Sequence, residues 1–386
     1  FSSSQGGDVI SFIAKMENCS QLEAVQHLIE RYNLEVPNYV DWKKLHDKEN
    51  YKKNHEKVCH IFERWCHENL MRSPQAQHYL IERGVTIETI VKFSLGFCPP
   101  SYDGLNNLLT YAKHNNILAQ DFINAHLCMQ GRKNLYIPFE NRIIFPIRDN
   151  LGRPCGFGGR TFDPHDTRAR YYNSHDHEYF NKSSIFFGLD SAKSAIQKNG
   201  SVYLVEGYMD CIIMVQSGYT NTIAVLGTSC TLEHLKIIAR YTQKLIIIYD
   251  GDRAGKQAIV KLAQLCWQVN IELFVVTLPE QEDPASFLVK HKNLATPLEK
   301  MQGIFPFFIE HLGTKFLNKT VPEKLATTKQ LIEALNNLSD QMQQDILLHK
   351  AATTFDIPFE ILKKSLHQIT AEPHATLNKL PQKLQS

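Results

Sequence analysis

SVYLVEGYMD at 201–210, TNTIAVLGTSC at 220–230, KLIIIYDGDRAGKQA at 244–258 and VNIELFVVT at 269–277 decide the architecture of this 386-residue chain. Each holds a short apolar, β-branched run: 202–205, 222–225, 245–249 and 271–276. Helical patterns fill the intervals. That alternation argues for βαβ units around a parallel sheet buried on both faces. Right-handed crossovers put the four strand ends on one edge, where open α/β sheets bind ligands.

Acids stand at those ends. Glu206 follows the first strand, and Asp210 lies one helical turn further on. Asp250 and Asp252 follow the third strand. Carboxylates gathered at two neighbouring strand ends repel one another, and a divalent cation relieves the repulsion. An all-oxygen ligand set suits Mg²⁺ or Mn²⁺ rather than zinc. Gly207, Gly251 and Gly255 flank the acids and allow backbone to approach a ligand closely. Gly227, Thr228 and Ser229 follow the second strand, and Thr231 is placed to cap a helix whose start suits a phosphate. A lone acid such as Asp252 is an ordinary cap for a helix over 253–268. Four acids beside glycines point to metal.

A basic stretch leads into this sheet. Residues 142–148 (RIIFPIR) alternate like a strand, 149–152 form a turn, and 154–157 return as a second strand. GFGGR at 156–160 brings backbone and a guanidinium close to a neighbour, and 185–187 is strand-like. Arg142, Arg148, Arg160, Arg168, Arg170 and Lys182 are interleaved with Tyr171, Tyr172 and Phe180. Cations can pair with phosphates and aromatic rings can stack on bases. Next to an acidic metal site, such cations can hold a polyphosphate.

Composition bounds the rest. A net charge of +2 does not announce nucleic acid, so any basic face is local. The length allows two or three compact units. No apolar run reaches membrane-spanning length, and there is no signal-peptide pattern. Nine cysteines without a paired framework fit reduced thiols of a cytoplasmic protein. Cys59-His60 and Cys66-His67 lack a CxxC knuckle and read as helix-face residues.

Ahead of the basic stretch the pattern is helical. Asp8 can cap a helix carrying Ile10, Phe12, Ile13 and Met16, and 20–23 (SQLE) is a capping box. Helices are expected over 42–69, 76–82 and 86–93, with Gly84 as a C-cap, and over 105–114 and 119–125. A short helix over 191–199 leads into the sheet. From Leu294 onward the pattern is helical throughout, and 371–386 reads as a linker.

The phrases EGYMD, LGTS and YDGDRAG, at this spacing, resemble the TOPRIM domain of bacterial replicative DNA primases of the DnaG type. YLIERGVT at 79–86, FSLGF at 93–97, RIIFPIRD at 142–149, GFGGR at 156–160 and RYYNS at 170–174 extend the resemblance over most of the chain. It implies a TOPRIM-type parallel sheet flanked by a basic α+β N-terminal subdomain and a C-terminal helical subdomain. The implied divisions are 1–37 as the end of a zinc-ribbon domain, 38–190 basic, 191–293 TOPRIM, 294–370 helical and 371–386 linker. GGDVISF at 6–12 resembles the end of the ribbon, but Ser2, Ser3 and Ser4 stand where the family has a cysteine ligand. Zinc is therefore expected in the full-length family protein and not on this chain.

The resemblance implies DNA-dependent RNA primer synthesis by nucleotidyl transfer, with Mg²⁺ or Mn²⁺ at Glu206, Asp210, Asp250, Asp252 and Asp283. Glu206, Asp250 and Asp252 are the expected catalytic acids, with Glu206 either a ligand or an acid/base. Asp283 matches the first carboxylate of the family's D-P-D phrase, and Ala285 replaces the second. Glu280 and Glu282 are the nearby carboxylates that could substitute. Arg142, Arg160, Arg170, Asn173 and Lys182 are the expected contacts to template and incoming nucleotide. Arg170 stands where the family often has lysine. Implied partners are single-stranded DNA, ribonucleoside triphosphates and a replicative helicase bound through a C-terminal domain beyond this chain. The rival readings are a TOPRIM nuclease or topoisomerase and a non-enzymatic DNA-binding scaffold.

Overall fold

The structure is a computed structural model that describes residues 8–16, 21–32, 42–132, 134–249, 259, 261–263, 265–266, 268–279, 281–304, 316, 319–336, 338 and 340–371. It divides into compact units over 1–54 and 55–386. The first holds α1 (Val9–Met16) and α2 (Gln21–Tyr32), which pack on each other. Asp8 caps α1 as expected, its Oδ1 accepting from the Ser11 amide at 2.8 Å. The expected cap at Ser20 lies outside the described residues. The boundary between the units falls inside α3 (Trp42–Arg72).

In the second unit, α4 (Pro74–Glu82) and α5 (Ile87–Lys92) form a helical pair capped by Ser73 and Thr86. Gly84 between them has φ +85°, the left-handed turn expected of it. β1 (Gly96–Cys98), α6 (Ser101–Lys113), α7 (Ala119–Asn124), β2 (Met129–Gln130) and β3 (Leu135–Tyr136) lead to the basic hairpin. β4 (Arg142–Arg148) and β5 (Pro154–Thr161) pair antiparallel, and β6 (Tyr171–Asn173) completes a four-stranded sheet in the order β1-β4-β5-β6.

Next come α8 (Leu189–Asn199), β7 (Val202–Val205), α9 (Tyr208–Gln216), β8 (Thr222–Ala224), α10 (Leu232–Ile238), β9 (Lys244–Tyr249) and β10 (Glu272–Thr277). Then follow α11 (Pro284–His291), α12 (Ala295–Glu299), β11 (Gln302–Gly303), α13 (Val321–Asn336), α14 (Gln341–Phe355) and α15 (Phe359–Ala371). The second sheet runs β11-β10-β9-β7-β8. β8, β7, β9 and β10 are parallel, so the expected sheet is present, and β7, which ends just before Glu206, is a hydrogen-bonded neighbour of β9, which ends at Tyr249.

Two expectations change. Residues 185–187 are not a strand: Phe187 makes a single antiparallel bridge to Ala224, because the chain turns into α8 at Gly188. The region after Leu294 is not wholly helical: β11 pairs antiparallel with the edge of β10.

The two sheets meet through aromatic rings. Tyr208, at the start of α9, stacks on Phe145 with centroids 4.9 Å apart and meets Phe187 edge-on at 5.0 Å. Its ring occupies the space above Gly158, where a Cβ would come within 2.5 Å of the ring carbon Cζ. Phe180 fills the corresponding space above Gly156. The glycines of GFGGR therefore accommodate the core, not a ligand, and Phe180 is buried packing rather than a stacking platform.

Candidate active site

α9 starts directly after β7, which puts Asp210 in its first turn at the sheet edge. The Asp210 carboxylate folds back over Gly207, where a Cβ would lie 2.9 Å from Oδ2. Its Oδ1 accepts from the Ala285 amide at 3.2 Å. Asp283 caps α11: its Oδ1 accepts from the Ser286 amide at 2.7 Å, and Ser286 Oγ accepts from the Asp283 amide at 3.0 Å. Burial and then the Asp283 charge push the Asp210 carboxyl up to about 7, against the pull of the Ala285 and Gly207 amides and with a smaller push from Glu206. The Asp283 and Glu206 charges are thus close enough to resist the ionisation of Asp210.

Glu206 is exposed at the end of β7. It borders a second cavity, of about 340 Å³, beside Gly227, Thr228 and Ser229. Asp250 and Asp252 lie outside the described residues, as do Gly251, Gly255 and Glu280. β9 runs parallel to β7 with Leu204 opposite Ile247, so both strands leave the sheet on one edge. Among the described residues, no group of three or more His, Cys, Asp or Glu side chains is gathered to hold a metal ion. Glu282, a nearby carboxylate, pairs its Oε1 with Lys290 at 2.7 Å, and its Oε2 lies 3.7 Å from His291 Nε2. The start of α10 is also not an open phosphate cradle. The Thr231 hydroxyl accepts from the His234 amide and the Thr231 amide donates to the His234 ring.

The cations separate into two groups. Arg148 pairs with Glu63, and Arg168 with Asp166 at 2.6 Å, so both hold the fold. Arg160 and Arg170 line a cavity of about 360 Å³, whose other walls include Gly207, Asp210 and Asp283. Arg160 is 4% exposed, and its Nη1 donates to the Tyr171 hydroxyl at 2.6 Å. Arg142 is 3% exposed and donates Nη1 to the Arg170 carbonyl at 3.2 Å. The Nε atoms of Arg142 and Arg160 are buried without a hydrogen-bond partner among the described residues. An unsatisfied buried donor costs about 1–3 kcal/mol, which an incoming acceptor would recover.

Asn173 joins the two sheets rather than facing the cavity. Its Nδ2 donates to the Leu226 carbonyl at 3.0 Å, and its Oδ1 accepts from the Tyr208 hydroxyl at 2.7 Å. At Lys182, the backbone amide donates to Asp176 at 2.8 Å. The neighbouring Ser183 carbonyl takes the Thr231 hydroxyl at 2.7 Å, which sets this segment on α10. Sequence reasoning missed Arg83, which lines the cavity of Asp210 and Asp283. The available signal was a basic residue directly before a glycine that must turn left-handed.

The description "DNA primase catalytic core, N-terminal domain" matches residues 65–193, and "Toprim-like" matches 203–288. A DNA primase of Aquifex aeolicus is 30% identical over 375 residues, covering 97% of this chain and 71% of that protein. A DNA primase of Clostridium acetobutylicum is 30% identical over 354 residues, and this chain spans 58% of its length. The crystal structure of the zinc-binding and RNA polymerase domains of the Aquifex aeolicus primase aligns with a TM-score of 0.70 at 28% identity, covering 93% of this chain and 84% of that one. The structure of a DnaG primase catalytic domain bound to single-stranded DNA aligns with a TM-score of 0.70 at 26% identity, covering 80% and 98%.

Proposed function

This chain belongs to the DnaG-type DNA primase family, and from that premise we propose that it synthesises short RNA primers on single-stranded DNA by metal-dependent nucleotidyl transfer. The observation that carries the reading is the cavity of about 360 Å³ in which Asp210 and Asp283 face Arg160 and Arg170. A site that joins nucleotides must accept both a cation and a polyphosphate, and these walls offer oxygen donors and guanidiniums together. The donor set fits Mg²⁺ or Mn²⁺: it is all carboxylate, and a cation would offset the burial and the Asp283 charge that raise the Asp210 carboxyl. Glu206, Asp210, Asp250, Asp252 and Asp283 are the residues that would hold it. Bound there, the metal supplies positive charge for the attacking 3′-hydroxyl and the departing pyrophosphate.

The protein's own residues do the remaining work in this proposal. Arg160 and Arg170 orient the triphosphate, and the buried Arg142 and Arg160 donors gain acceptors from template or nucleotide. Lys182 adds a cation, and Asn173 sets the spacing between the two sheets. The divisions 1–37, 38–190, 191–293, 294–370 and 371–386 are part of the same proposal, as is a helicase partner reached through a further domain. Among the described residues no helix is long and apolar enough to cross a membrane.

The test is Asp250→Ala and Asp252→Ala, with primer synthesis measured on a single-stranded template in Mg²⁺ or Mn²⁺. Loss of synthesis with the fold intact supports the assignment. Full activity in both variants ends it. DNA cleavage, plasmid relaxation or template binding without nucleotide incorporation by the wild type would favour the nuclease, topoisomerase or scaffold readings.

A further inference from the structure

We propose that His234 is a positioning residue: it clasps the segment that carries Lys182 onto the start of α10, and so fixes Lys182 relative to the loop beside Glu206. The inference rests on the nucleotidyl-transfer reading, in which Lys182 contacts template or nucleotide, and adds a residue that touches neither.

His234 is fully buried, at 0% exposure, and both of its ring nitrogens are engaged. The Thr231 amide donates to Nδ1 at 3.2 Å, so Nε2 carries the proton and donates to the Ile185 carbonyl at 3.1 Å. One neutral tautomer satisfies both bonds. Burial lowers the pKa of the ring, against the pull of the Ile185 and Lys182 backbone, and favours that neutral form. The ring also meets Phe186 with centroids 4.4 Å apart. A helix cap would need only the Thr231 contacts. The bond to Ile185, 49 residues away in the chain, is what ties the Lys182 segment down.

The clasp closes one end of a brace. Val225, Gly227, Thr228, Ser229 and Cys230 wall the Glu206 cavity of about 340 Å³. This loop leaves β8 at Ala224 and ends at Thr231. At the first end, Phe187 exchanges two backbone bonds with Ala224, at 2.9 and 3.0 Å. At the second, the Ser183 carbonyl accepts from the Thr231 hydroxyl at 2.7 Å, and that hydroxyl accepts from the His234 amide at 3.2 Å. Residues 183–187 therefore span the loop and are bonded beyond both of its ends. Lys182 directly precedes them, and its own amide is tied to Asp176 at 2.8 Å. A buried polar network with every member satisfied holds one arrangement, so the cation and the cavity wall keep a set relation.

The experiment is a double-variant cycle between the clasp and the cation. His234→Leu, His234→Gln and Thr231→Val are made alone and together with Lys182→Ala. Two constants are read: KM for ribonucleoside triphosphate in primer synthesis, and the dissociation constant for a single-stranded DNA oligomer. Lys182→Ala should raise one of them. His234→Leu and Thr231→Val should raise the same constant about five- to tenfold, the effect of one displaced charge-assisted contact. His234→Gln keeps a donor for the Ile185 carbonyl and should recover part of the loss. In the Lys182→Ala background the clasp variants should add nothing further, because the group they position is gone. Additive effects overturn the proposal and leave His234 a packing residue. So does an unchanged constant in a folded clasp variant, or a Lys182→Ala protein indistinguishable from wild type. Urea midpoints report folding, and Thr231→Val, which keeps the side-chain volume, carries the cycle if His234→Leu does not fold. If the wild type makes no primer, the reaction assigned above fails on its own, and the same cycle is read in Mg·ATP dissociation constants. Coupling there supports the clasp and additivity overturns it.

Discussion

Asp210 gives the sharpest quantitative test of the site. In the folded chain its carboxyl is raised from 3.8 to about 7, so between those values the native state binds a proton that the unfolded chain releases. Stability from this group is fully present below about pH 4 and is lost as pH rises through 7. A shift of about 3 units at 1.36 kcal/mol each gives about 4 kcal/mol, an upper figure because water entry and relaxation relieve a buried charge. Asp210→Asn keeps the shape and removes the charge. Urea unfolding of both proteins in EDTA, at about pH 5 and pH 8, measures the difference. Wild type should weaken by about 2–3 kcal/mol at most over that range while the variant changes far less. Adding Mg²⁺ at pH 8 should restore wild type and leave Asp210→Asn where it was. Parallel pH profiles for the two proteins would refute the claim that Asp283 and burial resist ionisation at this position.

Gly158→Ala drives a methyl into the Tyr208 ring and should cost about 1–3 kcal/mol, seen as a lowered urea midpoint. Asn173→Ala strands the Leu226 carbonyl and the Tyr208 hydroxyl, with an expected loss of about 1–3 kcal/mol in the same assay. Arg142→Met removes a buried Nε with no partner among the described residues together with the Nη1 bond to the Arg170 carbonyl, so stability should hold within about 1 kcal/mol while template affinity falls in a fluorescence titration. If Arg142→Met leaves DNA and nucleotide binding intact, Arg142 is packing alone.

Much of this was readable from residue types. The β-branched runs before Glu206 and Asp250 fixed the strand positions to within a residue or two, because a strand buried on both faces has little choice of composition. Asp8 and Thr231 announced their caps for the same local reason. What escaped depends on partners distant in the chain. Gly156 and Gly158 read as points of close approach to an unnamed neighbour, and the rings above them come from Phe180 and Tyr208. Asn173 read as a nucleic-acid contact, and its bonds to the Leu226 carbonyl and the Tyr208 hydroxyl were not legible beside that reading. β11 escaped because two residues on a sheet edge carry no periodicity. Arg83 escaped because its place depends on Gln216, 130 residues away from Thr86.

The aromatic key between the sheets has a mechanical consequence. Tyr208 is seated over Gly158, stacked on Phe145 and tethered through its hydroxyl, so the first turn of α9 and the floor beneath the arginines form one body. That packing sets the spacing between cations and anions as the chain folds. Under the proposed reaction, nucleotides of different bases would meet the same spacing, and discrimination among them would come from the template strand.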